Sequence, residues 1–544
     1  MNPNDIASPG ERARAWVALS AIVLLAAVLR WHFFVGFGVS ADDLIYAGMA
    51  KELARRGWEA VDLHYGVNYR LGLSVPLALL FRAGGINDVT YVIYPLVMSL
   101  VSIVVVFQLG SRLFGSMAGL TAALLVATCP FDAVFASSMM IDIITSCLMA
   151  ITVLAFLAAR EAAGARCLAY AFLGAAATFV AYLIKEPAVY VLPCLGALTI
   201  ARLFDRKVVL CDAAFYGMVG VMLASTLAVD YFATGDALNR LHVQIPQSGF
   251  AVGPIGEILL RYPRWVWLPS PEGTMPFGYL FYAVVPAALY VAARARPQGH
   301  VPLLWLLVLV LLLEFLPKQL HPLTLSPRYP RYAHVWVAPG SLIIALALER
   351  VREWRRSVFW LCITVLATSG LLGARTLHRV WTEPLADRND AAKFLATLPA
   401  KTLYSDFWLT DRYAFVMQYP STFSTPWALN GRQWQADVIE KDDFATLWTI
   451  PGGYVVTGGS RGVEVGMYSV LNLKGNEPPP TWRLLTEIAR PLEPWRVEPL
   501  CIWEVPLVGY SEETTDRHVT AGACPCGTAR RSVGPSALLQ VGAN

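Results

Sequence analysis

Apolar runs long enough to cross a membrane dominate the first two thirds of this chain, and they restrict its fold more than any other feature. They begin near residues 16, 90, 115, 143, 167, 187, 211, 276, 301, 334 and 357. With 56% hydrophobic and 15% charged residues, the chain of 544 residues is too apolar for a water-soluble protein of this size. Since a spanning helix needs about 20 apolar residues, the sequence predicts a mostly α-helical, polytopic membrane bundle of about 11 to 13 spans.

The basic residues predict how these segments are oriented. Arg12 and Arg14 precede the first run, which places the N-terminus in the cytoplasm by the positive-inside rule. The basic loops at 160–166, 202–207, 294–296 and 349–356 then fall on the same side, provided that the short apolar stretch Leu71–Gly84 does not cross. We therefore expect a re-entrant or interfacial segment there.

The first apolar run also bears on localisation. Trp16 to Phe37 is too long for the apolar region of a signal peptide and lacks a small-residue cleavage site, so it is typical of a signal anchor. The expected location is a bacterial inner membrane, with the C-terminal domain in the periplasm.

Composition divides the chain into four predicted parts. Residues 1–15 form a cytoplasmic N-terminus, 16–376 a transmembrane domain whose first exoplasmic loop is 38–89, 377–510 a small exoplasmic α/β domain, and 511–544 a disordered tail. In the third part we expect a helix over Ala386–Leu398 and strands over Thr402–Trp408 and Gly453–Thr457.

Cationic and cysteine patterns exclude other classes of protein. Lys and Arg gather in short loops rather than in a basic stripe, which argues against nucleic acid as a partner. No CxxC or His/Cys metal spacing occurs. Six of the nine cysteines lie in or beside apolar segments and are interpreted as core residues: Cys129, Cys147, Cys167, Cys194, Cys211 and Cys362.

Charged residues beside the membrane collect at the predicted outer ends of their segments. This set consists of Asp42, Asp43, Arg70, Asp132, Asp142, Lys185, Glu186, Asp230, Glu314, Lys318, Arg328 and Arg331. Because charges near a bilayer are costly unless they are solvated, paired or functional, both signs together predict one polar cavity at the outer face. The alternative is that helix ends simply tolerate charge. For Lys185 this means snorkelling, and for Asp132, Asp230 and Glu314 a capping or loop role.

The two adjacent aspartates have different predicted roles. Ser40 and Asp43 have the spacing of a capping box, so we expect a helix in which Ser40 is the N-cap and Asp43 is structural. Asp42 is then available for chemistry. An apolar stripe of Ile45, Met49 and Leu53 predicts an amphipathic helix on the membrane surface, and Lys51, Glu52, Arg55 and Arg56 would form its polar face.

A series of short motifs follows in order along the predicted membrane domain. They read Ser40-Ala41-Asp42-Asp43-Leu44-Ile45-Tyr46-Ala47, Asn68-Tyr69-Arg70-Leu71-Gly72, Phe135-Ala136-Ser137-Ser138-Met139-Met140-Ile141-Asp142, Leu183-Ile184-Lys185-Glu186-Pro187 and Ser326-Pro327-Arg328-Tyr329. In order and spacing they resemble the GT-C superfamily of membrane glycosyltransferases, and within it the protein O-mannosyltransferases and lipid A aminoarabinose transferases. Arg70 stands where that family often has Lys, and the prolines of the family's basic motif are absent.

The resemblance implies an activity and a set of roles. It implies inverting transfer of one sugar from a polyprenyl-phosphate donor to a hydroxyl of a lipid, glycan or protein acceptor. The catalytic pair would be Asp42 and Asp43, with Asp42 as the general base and Asp43 building the helix that presents it. Asp142 would orient the sugar or the acceptor, or help to hold a divalent metal, and metal dependence is left open. The donor phosphate leaves as an anion and would be bound by cations, namely Arg70, Lys185, Arg328 and Arg331.

Two other functions stay open from the sequence. A transporter or flippase of a lipid-linked saccharide is disfavoured because no internal repeat is evident and the charges lie at one face. A non-catalytic envelope assembly protein would depend on the C-terminal domain rather than on Asp42 or Arg70.

Overall fold

The computed structural model describes the chain in segments that form two compact units, Met1–Thr382 and Glu383–Asn544. The described residues are 9–36, 41–61, 69–201, 206–240, 242–243, 262, 266–268, 275–294, 299–320, 323–325, 330–383, 386–395, 397–399, 401, 403–404, 452–460, 478, 480–488 and 496–506. Ser40, Arg328 and the tail 511–544, for which the sequence made predictions, lie outside them.

The first unit is a bundle of apolar helices. They are α1 Pro9–His32, α2 Ala41–Arg56, α3 Leu71–Gly84, α4 Asp88–Phe114, α5 Ser116–Ala127, α6 Pro130–Phe135, α7 Ile141–Glu161, α8 Ala165–Ile184, α9 Val191–Ile200, α10 Arg206–Thr234, α11 Leu280–Arg294, α12 His300–Phe315, α13 Val337–Trp354 and α14 Arg356–Thr382. The described part of this unit also contains the 3₁₀ helices η1 Gly57–Ala60, η2 Glu186–Tyr190 and η3 Pro330–Trp336 and a hairpin of β1 Pro317–Leu320 and β2 Leu323–Leu325.

The fold class predicted from the apolar runs is confirmed. Among the described residues, seven helices are long and apolar enough to cross a membrane, and five apolar segments of 10–17 residues accompany them. Every predicted run falls on one of these helices. Four of them, near residues 115, 187, 276 and 301, fall on the shorter group, so the number of crossings stays a prediction. The short stretch at residue 71 is α3, with the predicted bounds Leu71–Gly84.

Helix α7 lies at the centre of the bundle. It is buried along most of its length and packs against α8 and α4. Since a short turn joins α7 to α8, the two helices run antiparallel. The first turn of α7 therefore lies beside the end of α8, and this arrangement positions the site described below.

Helix α2 has the predicted start but a different buried face. It begins at Ala41, one residue after the predicted N-cap, and packs against α3. Its buried face includes Tyr46, Ala50 and Leu53. Lys51 is also buried, so its assignment to the polar face was wrong. Packing against α3 covers a wider part of the helix than the apolar stripe alone predicts.

A disulfide joins two of the cysteines that the sequence interpreted as core residues. Cys167 of α8 bonds Cys211 of α10, with 6.3 Å between their Cα atoms. Both residues are buried, as expected. The sequence did not predict the bond between them, because that bond depends on how two helices pack. Cys129, Cys147 and Cys194 are buried thiols, as expected.

The second unit contains a helix and a mixed sheet. Helix α15 covers Ala386–Leu395, and the strands are β3 Leu403–Tyr404, β4 Gly453–Ser460, β5 Arg483–Ile488 and β6 Arg496–Val505. The strand order is β3-β4-β6-β5, in which β3 and β4 are parallel and the other pairs antiparallel. The helix and two of the strands overlap the elements that the sequence predicted there.

Candidate active site

The α7–α8 hairpin forms a buried ion pair at one end of the bundle. Asp142 lies in the first turn of α7, and Lys185 directly follows the last residue of α8. The Lys185 ammonium donates to Asp142 Oδ1, and both residues are less than 10% exposed. Burial of both charges is tolerated because each neutralises the other.

The short helix η3 adds a second cation and an aromatic ring. Arg331 Nε lies 3.9 Å from Asp142 Oδ2. Lys185 Nζ lies 3.4 Å from the centre of the Tyr332 ring, within the range of a cation–π contact. Asp142 therefore has two basic side chains beside it, one on each carboxylate oxygen.

Arg70 approaches the same place from the start of α3. Its Nη1 donates to the carbonyl of Ile184, the residue before Lys185, at 2.6 Å. Its guanidinium lies 5.5 Å from the centre of the Tyr46 ring. Gly72 makes this approach possible. A Cβ at that position would lie 2.6 Å from the Val180 carbonyl oxygen, which is closer than any ordinary contact.

The electrostatics of Lys185 follow from these neighbours. Burial lowers the pKa of Lys185 to about 8; Asp142 opposes this shift, while the positive charges of Arg331 and Arg70 add to it. The ammonium thus loses its proton more readily than an exposed lysine does.

A small pocket opens beside the ion pair. Its interior offers about 10 Å³ to the centre of a water molecule, roughly the space of one water, and its lining is mostly apolar. The lining residues are Asp142, Thr145, Lys185, Pro187, Tyr190, Leu309, Leu313, Tyr332 and Val335. Basic groups beside an apolar wall suit an anionic head group attached to a hydrocarbon.

The structure brings together some of the sequence-predicted site residues and not others. Asp142, Lys185 and Arg331 are in contact, and Arg70 is beside them. Asp42 and Asp43 lie in the first turn of α2, and their side chains are outside the described part of the structure. Arg328 is also outside it. The roles of all these residues stay predictions.

Asp132 does not join this group, and its predicted capping or loop role was wrong. It is 1% exposed and belongs to a second buried cluster with His334, Ser99 and Arg30. His334 Nε2 lies 2.7 Å from Asp132 Oδ2, and the Ser99 hydroxyl donates to Asp132 Oδ1 at 3.0 Å. Arg30 Nε donates to Ser99 at 2.8 Å, and Arg30 Nη2 lies 3.9 Å from Asp132 Oδ1. Burial would raise the pKa of Asp132, but His334 and Arg30 outweigh it and hold that pKa below its ordinary value.

A third cluster contains a residue that sequence reasoning missed. Arg240 donates to Glu186 Oε1 from Nη2 at 2.8 Å and from Nε at 3.1 Å, and to the Tyr182 carbonyl at 2.7 Å. Its guanidinium lies 4.4 Å from the Tyr182 ring centre and 5.6 Å from that of Tyr69. Its place shortly after α10, at the predicted outer end, is the signal that could have identified it.

The described residues contain no group of three or more His, Cys, Asp and Glu side chains that could hold a metal ion.

Comparison with known proteins places these features in a known fold. The family described as dolichyl-phosphate-mannose-protein mannosyltransferase matches residues 75–229. A search of curated protein sequences gave no match.

Solved structures match over nearly the whole chain. The crystal structure of ArnT from Cupriavidus metallidurans in the apo state has a TM-score of 0.56 at 14% identity, covering 91% of this chain and 98% of that chain. The same protein bound to undecaprenyl phosphate matches with the same score and identity over 92% and 98%. The apo oligosaccharyltransferase of Archaeoglobus fulgidus has a TM-score of 0.50 at 15% identity, covering 79% of this chain and 62% of that chain. The chain therefore has an ArnT-like fold, and the resemblance predicted from its motifs is confirmed as a similarity to this family and to these structures.

Proposed function

We propose that this integral membrane protein is a glycosyltransferase that moves a single sugar from a polyprenyl-phosphate donor to an acceptor hydroxyl, with inversion, at the exoplasmic face. The observation that carries the proposal is the convergence of Lys185, Arg331 and Arg70 around Asp142 beside a mostly apolar pocket. The fold supports it, because a protein with the same fold binds undecaprenyl phosphate.

The basic residues suit the leaving group of this reaction. When the bond from the anomeric carbon to the phosphate oxygen breaks, negative charge grows on the phosphate. Lys185 and Arg331 stabilise that charge, and Arg70 adds a guanidinium whose planar geometry suits phosphate oxygens. The phosphate leaves as an anion, so the step needs no general acid. Asp142 keeps Lys185 beside the pocket and orients the sugar or the acceptor from the same place.

Asp42 is proposed as the general base. It would accept the proton of the acceptor hydroxyl as the oxygen attacks the anomeric carbon. Two features support this assignment. Helix α2 begins at Ala41, so Asp42 is in its first turn, and Tyr46 one turn later lies against Arg70. The backbone of Asp42 is thus one helical turn from a ring that contacts the basic group. Asp43 contributes to the start of the helix.

The proposed location is a bacterial inner membrane, with the site facing the periplasm. The distribution of Arg and Lys in the loops supports it. The acceptor is a hydroxyl of a lipid, glycan or protein.

The experiment uses purified full-length protein and undecaprenyl phosphate sugars. In Asp42→Asn, the amide cannot take a proton, so we expect sugar transfer to fall by about a hundredfold or more. Binding of undecaprenyl phosphate should stay as in the wild type. Asp43→Asn is the matched control: it should lower the melting temperature through a weaker helix start while transfer persists.

Two results would contradict the proposal. Full transfer activity in Asp42→Asn removes that residue as the base. Substrate-dependent transport of a lipid-linked saccharide by the wild type, without any covalent transfer, identifies a flippase instead.

A further inference from the structure

Two side chains of the short helix η3 contact carboxylates that belong to other helices of the bundle. Arg331 lies beside Asp142, and His334, three residues later, contacts Asp132. A 3₁₀ helix has three residues per turn, so side chains three apart lie on the same face. The two carboxylates come from the successive helices α6 and α7. The face of η3 that carries Arg331 beside Asp142 therefore also carries His334, which contacts Asp132 of α6.

The position of Asp132 is itself determined by two further helices. Ser99 of α4 donates to one carboxylate oxygen, and Arg30 of α1 donates to Ser99. Arg30 also donates to the carbonyls of Ala26 and Ala127. All four polar side chains of this cluster are less than 5% exposed. Such a buried polar network restricts its members to one geometry, since each lost contact leaves a buried charge unbalanced.

Apart from its continuation into α13, a helix as short as η3 depends on side-chain contacts for its position. It covers seven residues, and 3₁₀ hydrogen bonds have poor geometry, so its own backbone contributes little to its stability. The ring of His334 packs against Phe131 of α6, with 5.0 Å between ring centres, which aligns its Nε2 with Asp132. The described hydrogen bond between η3 and the Asp132 side chain is thus the one made by His334.

We propose that His334, through Asp132, is a positioning residue that fixes η3 so that Arg331 and Tyr332 face the donor phosphate. The inference rests on the proposed function and adds a residue that touches neither the donor nor the acceptor. Through the network of Arg30, Ser99 and Asp132, the helices α1 and α4 determine where η3 lies. Its effect is on donor binding, while the chemical step depends on Asp42.

The test uses two amide substitutions of matched polarity. In Gln, the side-chain nitrogen occupies the place of His Nε2 and can still donate to Asp132. In Asn, it occupies the place of His Nδ1 and cannot reach the carboxylate. Affinity for undecaprenyl phosphate is measured on the full-length protein in nanodiscs. We expect His334→Asn to weaken binding about tenfold, the effect of one charge-assisted hydrogen bond, and His334→Gln to bind as the wild type does.

A double substitution separates positioning from general loss of stability. If His334 acts through Arg331, then His334→Asn should cause no further loss of affinity in an Arg331→Gln background. Asp212→Asn is the control, since it breaks a comparable buried ion pair with Arg160 at the opposite end of α7. It should lower the melting temperature and leave donor affinity unchanged.

The outcomes distinguish the two proposals. Equal affinity in His334→Asn and the wild type, or additive losses in the double variant, would overturn the positioning role alone. If the wild type does not bind undecaprenyl phosphate, the proposed donor and this inference both fail. If His334→Asn does not fold, Asp132→Asn in its place must weaken donor binding for the proposal to stand.

Discussion

Substituting Gly72 with Ala tests whether the close approach of α3 to α8 holds Arg70 in the site. The added Cβ would lie 2.6 Å from the Val180 carbonyl oxygen and 2.8 Å from Ile184 Cγ1. Ordinary carbon contacts begin near 3.5 Å, so α3 must retreat by about 0.5–1 Å. The Arg70–Ile184 hydrogen bond is now 2.6 Å long. A retreat of that size brings it close to the limit of a hydrogen bond.

Two effects are expected from this retreat. Overpacking should cost about 1–3 kcal/mol of stability, which lowers the melting temperature. Donor affinity should fall about tenfold, because the hydrogen bond that holds Arg70 beside Lys185 is weakened. Thermal unfolding of the full-length protein measures the first effect, and titration with undecaprenyl phosphate measures the second.

Gly217→Ala provides the control. Gly217 is also within a helix, α10, but a Cβ there meets nothing within 4 Å. The same chemical change should therefore leave donor affinity as it is and should not lower the melting temperature. If Gly72→Ala has the melting temperature and donor affinity of the wild type, the link from helix packing to Arg70 is wrong.

Two more predictions concern the charged clusters. The pKa of Lys185 is lowered to about 8, so its positive charge is present below pH 8 and is lost as the pH rises above it. Donor affinity of the wild type should fall as the pH rises over that range. The affinity of Lys185→Arg should change little up to pH 10. If the affinity of both proteins declines equally, Lys185 is not the cause of the decline. Arg240→Gln removes the guanidinium that pairs with Glu186, whose side chain is 24% exposed, and should cost about 1–3 kcal/mol. Arg350→Gln breaks an exposed pair with Glu353 and should cost less than about 1 kcal/mol, so equal melting temperatures of these two variants would contradict the prediction.

The helices were predictable from the sequence because they depend on local properties. Long apolar runs determine which segments are helical, and a capping-box spacing predicted that α2 begins at Ala41. The contact of Asp142 with Lys185 followed from the chain order of α7 and α8, since antiparallel neighbours bring the start of one helix beside the end of the next. Both features follow from sequence patterns within one helix or between two consecutive helices.

Other features depend on packing between distant segments, which a single sequence does not show. Asp132 has the same local setting as Asp142, in the first turn of a helix at the same predicted side. Its partner His334 is 202 residues away, and the Arg30 beside it belongs to the first helix. The predicted single cavity therefore resolves into separate clusters. The disulfide between Cys167 and Cys211 was missed for the same reason.

The two ends of α7 show why a buried ion pair alone does not identify a functional site. At its last turn, Arg160 donates from Nε to Asp212 Oδ1 at 2.9 Å, and Thr199 donates to Asp212 Oδ2 at 2.6 Å. Both oxygens of that carboxylate thus accept hydrogen bonds, as a purely structural pair requires. At its first turn, Asp142 Oδ2 has no hydrogen-bond partner among the described residues.

The second difference is what surrounds each pair. Asp142 and Lys185 line a pocket with an aromatic ring and apolar walls, whereas Arg160 packs its guanidinium 4.3 Å from the Phe156 ring centre. That helix ends tolerate charge would explain the presence of both ion pairs equally. It does not explain why the two carboxylates differ in their hydrogen bonds or why the two pairs differ in their surroundings. A carboxylate oxygen left to accept a hydrogen bond, beside a lysine of lowered pKa and an open pocket, is the arrangement expected where a substrate hydroxyl completes the site.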